Sequence, residues 1–278
     1  MSHLHKTKVL GSLLLGLKTK ASANPGSVII MPVVFFTSKN IASKNIAEEF
    51  FSYCPKGIEV IDTKADSVLD LPSIPEDADY AVVLSSHRSN TAGKMITAHF
   101  PGNWNRADFG GEPRCLNIAY GSKVKEFIKS ALPLAARINW PVCMEADHHG
   151  PTPIRPIIFV EIGSGENEWT NKDAARVVAH AAADMLKSRK TYTSAFAVGG
   201  GHYAYEFTRF LVESEIAIGH ILPKYAIDDL DNEMFEQAIK RNVEDVNSVL
   251  VLKDRTNRRQ KEKIRHLCKI YKKEYIEV

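Results

Sequence analysis

The stretch Tyr80-Ala81-Val82-Val83-Leu84-Ser85-Ser86-His87-Arg88 decides the fold class. A short, wholly apolar run is a strand in a sheet covered on both faces. It runs straight into two serines, a histidine and an arginine, so polar chemistry starts where the strand stops. Working outward, the rhythm repeats. Residues 28–37 are β-rich and follow the Pro25-Gly26 break, and 40–53 carries Ile41, Ile46, Ala47 and Phe50 on a helical stripe. Residues 58–61 read as a short strand. Residues 86–119 break the rhythm as a long, polar, glycine-rich loop, the kind that is usually functional. Beyond it, 121–139 is helical with a break or kink expected at Pro133. Strands are expected at 142–145, 156–162, 195–198, 216–221 and 249–252. Helices are expected at 172–187, with an alanine-rich inner face, at 231–243, and at 258–273. Residues 275–278 close as an edge strand. This alternation predicts an α/β sandwich. Ligands of such sheets gather beyond the carboxyl ends of strands, which predicts one rim for the polar residues.

The chain has 278 residues, 44% hydrophobic and 25% charged, which excludes wholesale disorder. Its formal charge of +3 is too even to announce a nucleic-acid binder. Locally, residues 251–278 hold ten Lys/Arg against four Asp/Glu, which reads either as a solvated helix or as a face for a polyanion. Cys54, Cys115, Cys143 and Cys268 form no CxxC pair and read as buried small hydrophobes of a reduced, cytoplasmic protein. The longest apolar runs, 13–15 and 28–36, fall short of the roughly 20 residues of a membrane span. No acid precedes Glu48, while Lys6, Lys8, Lys18 and Lys20 crowd the start. Residues 1–27 are therefore expected to be a loose tail, with a targeting segment or an over-called start before Met31 as alternatives. Residues 28–278 are expected to form one domain.

Six of the ten histidines fall in loops or at strand ends: His87, His99, His148, His149, His202 and His220. The densest cluster is Glu145-Ala146-Asp147-His148-His149-Gly150-Pro151. If the strand continues through it, Glu145, Asp147 and His149 share one face and can bind a metal or activate a water. Glu161 sits between Val160 and Ile162 on an expected buried strand, so it must be ion-paired, hydrogen-bonded or metal-bound. Gly199-Gly200-Gly201-His202-Tyr203 lets a ligand approach the backbone closely before a helix begins. Arg88 and Asn103 are candidates for a polar group of the substrate. There is no Gly-x-Ser-x-Gly, no HExxH and no Walker loop, and no cysteine lies in these clusters. A serine or cysteine nucleophile is disfavoured.

In order, His87-Arg88, His99-Phe100-Pro101-Gly102-Asn103, Phe109-Gly110-Gly111, Asp147-His148-His149-Gly150-Pro151, Phe159-Val160-Glu161-Ile162-Gly163-Ser164 and Gly199-Gly200-Gly201-His202-Tyr203 resemble the archaeal and plant type of D-aminoacyl-tRNA deacylase. The resemblance covers roughly 28–278. Two positions depart from the family pattern: Asp147 replaces a threonine and Tyr205 a proline. The resemblance implies a three-layer, phosphorylase/hydrolase-like α/β sandwich with a mixed sheet. It implies hydrolysis of the ester of D-aminoacyl-tRNA, such as D-tyrosyl-tRNA, freeing the D-amino acid and reusable tRNA. It further implies two zinc ions, a monomer, and contacts to the tRNA 3′ end and acceptor region. On these positions it implies metal ligands among His87, His99, His148, His149, Glu161 and His202. Catalytic roles are implied for Glu145, His149 and His202, and substrate contacts for Arg88, Asn103, Gly199, Gly200, Gly201 and Tyr203. Two readings compete with this one. One is a metal-dependent aminopeptidase or nucleoside hydrolase on the same fold, the other a non-catalytic tRNA-binding protein.

Overall fold

The computed structural model describes residues 31–90 and 93–278, so the segment 1–27 lies outside the described residues. The elements run β1 (Pro32–Phe36), α1 (Ile41–Phe50), β2 (Glu59–Asp62), β3 (Tyr80–Ser86), β4 (Met95–His99), β5 (Gly102–Asn103) and β6 (Cys115–Leu116). They continue α2 (Gly121–Arg137), β7 (Val142–Met144), β8 (Ile157–Gly163), α3 (Glu166–Trp169), α4 (Lys172–Lys187), β9 (Thr193–Val198), α5 (Tyr205–Glu213) and β10 (Ile216–Leu222). The chain closes with α6 (Asn232–Lys240), β11 (Val246–Val251), α7 (Arg258–Ile270) and β12 (Glu274–Glu277).

Side chains set the helix starts. The Asn40, Asn171 and Asp231 side chains each accept from the backbone N–H three residues on, and Asn257 forms a full capping box with Gln260. Alternation along the strands sets the layers. Val34, Val82 and Leu84 face a core shared with Ile46, Phe50, Phe127, Ile128 and the alanines of α4. Val33, Phe35, Ala81 and Val83 face the other way, onto Ala78 with Leu69, Leu71 and Ile74. In the second half, Phe196, Val198, Val249 and Val251 pack against Met234 and Phe235 of α6 and Ile264 and Leu267 of α7.

The strands form two main sheets. The first has the order β2-β1-β3-β8-β4-β7 and is mixed, because β4 runs antiparallel to β8 and parallel to β7. The second, β10-β9-β11-β12, is parallel throughout, with β12 at its edge. The chain just after β7 joins them: Ala146 N–H donates to His202 O at 2.9 Å and Asp147 N–H to Ile221 O at 3.3 Å.

Three sequence expectations are corrected. The loop expected at 86–119 contains β4, every residue of which is buried in the first sheet. Its five-residue run is hidden in sequence by polar and glycine-rich flanks. Helix α2 runs without a break through Pro133, which lies on its exposed face, where water can take the carbonyl that the missing N–H leaves free. Finally, β4 and β7 run antiparallel to the other four strands of the first sheet, so strand ends do not all gather on one rim.

Candidate active site

The site lies where the two sheets meet. His87 follows β3 directly. Ser85 and Glu161 are register partners on β3 and β8, and the Ser85 hydroxyl donates to Glu161 Oε1 at 2.7 Å. His99 ends β4, with its ring stacked on Phe159 at 5.3 Å. Glu145 follows β7 and bridges to Tyr203. After β9 the chain turns at Gly199 and Gly200, whose φ values of 113° and 82° favour glycine, and this turn delivers His202.

Glu145 is the hub. Its Oε1 lies 3.2 Å from His87 Nδ1, and its Oε2 lies 3.0 Å from His202 Nε2 and 3.5 Å from His148 Nε2. Glu161 Oε2 is 3.5 Å from His87 Nδ1 and 3.7 Å from His99 Nε2. The His148 ring centre is 4.2 Å from His99, 4.4 Å from His149 and 4.5 Å from His202. His87 turns its Nε2 to the Tyr203 hydroxyl at 2.8 Å.

Three imidazoles are aimed by the backbone. His99 Nδ1 bonds Phe100 O, His148 Nδ1 bonds Ala146 O, and His149 Nδ1 bonds Gly150 O. These acceptors place a ring proton on each Nδ1 and aim each Nε2 inward, leaving a bare lone pair on His148 and His149, the arrangement that orients metal-ligating histidines. Both oxygens of Glu145 and the Nε2 of His99 are buried and make no well-aligned hydrogen bond, facing histidine nitrogens or a carboxylate only as ion pairs. Unpartnered buried polar atoms are costly unless a cation satisfies them. Three groups have ligand atoms all within 4.8 Å of one another: His87/Glu145/His148/His202, His99/His148/His149 and His99/Glu145/Glu161. Nitrogen and carboxylate donors in overlapping sets fit zinc chemistry.

Burial and charge fix the protonation states. Burial pulls His87 down, but Glu145 and Glu161 beside it outweigh that and raise it to about 11. Burial pushes Glu145 up, but His202 and His87 hold it well below the ordinary carboxylate range. Glu161 is lowered in the same way, with His87 and His99 outweighing burial. Burial, reinforced by positive charge at His99, holds His148 well below its usual value and His149 down to about 4. Burial pulls His99 down, but Glu161 beside it outweighs that and raises it, so the metal-free cluster sets two carboxylates against His87 and His99 and keeps neutral imidazoles at His148 and His149.

Four sequence candidates fall elsewhere: Asp147, His220, Arg88 and Asn103. Asp147 does not share a face with Glu145 and His149, because β7 ends at Met144 and His149 sits at φ 50°. Instead, Asp147 Oδ2 accepts from His220 Nδ1 at 3.0 Å and from Ile221 N–H at 3.1 Å. His220 lies within β10, and its Nε2 bonds Arg241 O. Arg88 is exposed, with its guanidinium over the Trp169 ring at 5.3 Å, while the Trp169 indole donates to His87 O. The Asn103 amide donates to Gly110 O and Glu112 O. Sequence reasoning missed Ser85, Phe159 and Trp169; of these, the pairing of β3 with β8 would have exposed Ser85. In the basic helix α7, Lys261 and Arg265 pair with Glu277, Arg258 with Glu262, and Lys263 with backbone carbonyls, so much of its charge is spent within the chain.

Residues 74–276 match the family model described as D-aminoacyl-tRNA deacylase. The chain belongs to this family. Curated relatives carry the same description. A protein from Pyrococcus furiosus is 38% identical over 173 residues, covering 61% of this chain and 63% of the relative. One from Ignicoccus hospitalis is 37% identical over 189 residues, covering 68% and 76%. One from Thermococcus onnurineus is 33% identical over 247 residues, covering 80% and 90%. The chain thus spans less than two thirds of the Pyrococcus relative and nearly all of the Thermococcus one. The fold is also similar to a crystal structure of a conserved protein of unknown function, with a TM-score of 0.81 and 25% identity, covering 89% of this chain and 95% of that one. Among the described residues, no helix is long and apolar enough to cross a membrane.

Proposed function

We propose that the protein hydrolyses the ester bond of D-aminoacyl-tRNA, releasing the free D-amino acid and reusable tRNA. The observation that carries this reading is the convergence of five histidines and two buried carboxylates in a chain of the deacylase family. The catalytic unit is placed in residues 28–278, acting as a cytoplasmic monomer; the four unpaired thiols suit a reducing compartment. The Glu145 oxygens and the His99 Nε2, buried without well-aligned hydrogen bonds, and the close-set ligand atoms of the three groups support two zinc ions. His87, Glu145 and His202 would hold one, and His99, His148 and His149, with Glu161 behind His99, the other. Bound zinc supplies Lewis-acid polarisation of the ester carbonyl.

The chain's own groups handle position and protons. Glu145, kept ionised by its histidines, accepts the proton of the attacking water as oxygen adds to the ester carbon. Glu145 returns that proton to the ribose oxygen as the ester C–O bond breaks, at the opening beside His202, a third of whose side chain is exposed. Ser85 fixes Glu161, and Tyr203 fixes His87. Arg88, Gly201 and Tyr203 form the substrate rim, where Gly201 leaves open space for the terminal adenosine, while Gly199 and Gly200 make the turn and Asn103 holds the loop behind it. Matched D- and L-tyrosyl-tRNA test the reading. Purified protein is expected to release D-tyrosine and leave the L-ester nearly intact. Equal rates on both, or activity only on peptides or nucleosides, would overturn it.

A further inference from the structure

The Phe109-Gly110-Gly111 segment has no part in the histidine cluster, yet it is pinned to it. Phe109 O accepts from Gly150 N–H at 3.1 Å, one residue beyond His149. Glu112 N–H donates to Thr152 Oγ1 at 2.8 Å, and Asn103 holds the carbonyls of Gly110 and Glu112. Gly111 and Gly150 touch so closely that a Cβ on Gly150 would meet Gly111 N at 2.4 Å. The backbone is thus fixed from several sides, while the Phe109 ring is left 72% exposed. Burying a phenylalanine gains roughly 1.5–3 kcal/mol, so a rigidly held ring left in water contributes little to folding. A second ring repeats the pattern on the other rim. Lys224 N–H donates to Gly200 O at 3.0 Å, and the next residue, Tyr225, is 70% exposed. The two segments meet where Asn105 Nδ2 donates to Asp229 Oδ2 at 3.0 Å. Exposed Lys224, and Arg106 beside its partner Asp108, add positive charge next to the two rings in sequence.

Two anchored aromatic faces beside a hydrolytic cluster, with cations alongside, have the chemistry of a platform for unpaired nucleobases. We propose that Phe109 and Tyr225 stack on unpaired nucleotides of the tRNA 3′ end and hold the terminal ester over the histidines. The proposal rests on the tRNA-ester reading above and adds the groups that grip the polynucleotide. Both are positioning residues, and neither handles a proton.

The test compares binding of uncharged tRNA with an intact 3′ end against the same tRNA lacking its last three nucleotides, by fluorescence anisotropy on the full chain. Wild type is expected to prefer the intact tRNA. Phe109→Ala and Tyr225→Ala are each expected to weaken intact-tRNA binding roughly 5- to 150-fold and leave truncated-tRNA binding unchanged. Phe109→Trp is expected to restore it. In deacylation, KM should rise with kcat nearly constant, and the melting temperature should not move. Phe51→Ala, at an exposed ring just past α1, serves as a control expected to change nothing. The platform is overturned if wild type fails to distinguish the two tRNAs, if the alanine variants bind intact tRNA like wild type, or if they weaken both tRNAs equally. If discrimination persists but D-esters are not hydrolysed, the hydrolytic reading falls and the platform stands.

Discussion

Two carboxylate–imidazole groups lie close together in this chain and differ in how they spend their nitrogens. In the Asp147–His220 pair both imidazole nitrogens are used, one on Asp147 Oδ2 and one on Arg241 O. In the cluster around Glu145, His99, His148 and His149 each spend one nitrogen on a backbone carbonyl and turn the other toward their neighbours. A buried histidine with both nitrogens spent holds structure together. One with a single nitrogen spent holds a lone pair in place for something else. Residue type and burial do not separate the two cases, since His99 and His220 are both fully buried.

The largest expected effect breaks the cluster. His149→Ala or His202→Ala should raise the barrier for D-tyrosyl-tRNA deacylation by about 3–5 kcal/mol, measured in single turnover, with little change in melting temperature. Near-normal turnover in both variants would dissolve the distinction drawn between the two groups. His220→Ala should do the opposite. It strands a buried carboxylate, which ordinarily costs about 3–5 kcal/mol. Burial already raises Asp147, so it can take up a proton and the loss should fall nearer 2–3 kcal/mol. Denaturant melts would measure this, while the folded fraction should keep the zinc content of wild type. Lost zinc with unchanged stability would reverse the assignment of the two groups.

A third buried group sharpens the comparison with a smaller effect. The charge on His87 faces two carboxylates, whereas Lys123 Nζ donates to the carbonyls of Met185 and Ser188 and lies over the rings of Tyr80 and Tyr120. Burial lowers Lys123 to about 8, below its ordinary 10.5. Between those values the unfolded chain binds more protons than the folded one, so this group makes stability rise with pH from about 8 to 10.5. Thermal melts across that window should show a shallower rise, or a steeper fall, for Lys123→Met than for wild type. Parallel curves would mean that the two carbonyls hold the ammonium as well as water does.

Much of this was legible in the sequence. Tyr80–Ser86 running into His87, the helix Lys172–Lys187 and the glycine turn before His202 all carry strong local signals, and the structure places them as read. What escaped is non-local. Met95–His99 has two polar residues in five and glycine-rich surroundings, and it becomes a strand only because β8 and β7 pair with both its edges. The face that Asp147 takes depends on His220, 73 residues away, and no periodicity encodes that. Ser85 reads as a strand-end serine until the register sets it against Glu161.

The uneven burial of the cluster has a kinetic consequence. The side chains of Glu145 and His99 are wholly enclosed and that of Glu161 is 3% exposed, whereas those of His148 and His202 are 23% and 33% exposed. The cluster therefore opens toward His148 and His202, and an ion held there would exchange through the same mouth that the ester would enter. Ion loss and substrate entry then compete for one doorway. A non-hydrolysable substrate analogue seated there should slow the stripping of metal by a chelator while leaving the ion's intrinsic affinity for its ligands unchanged.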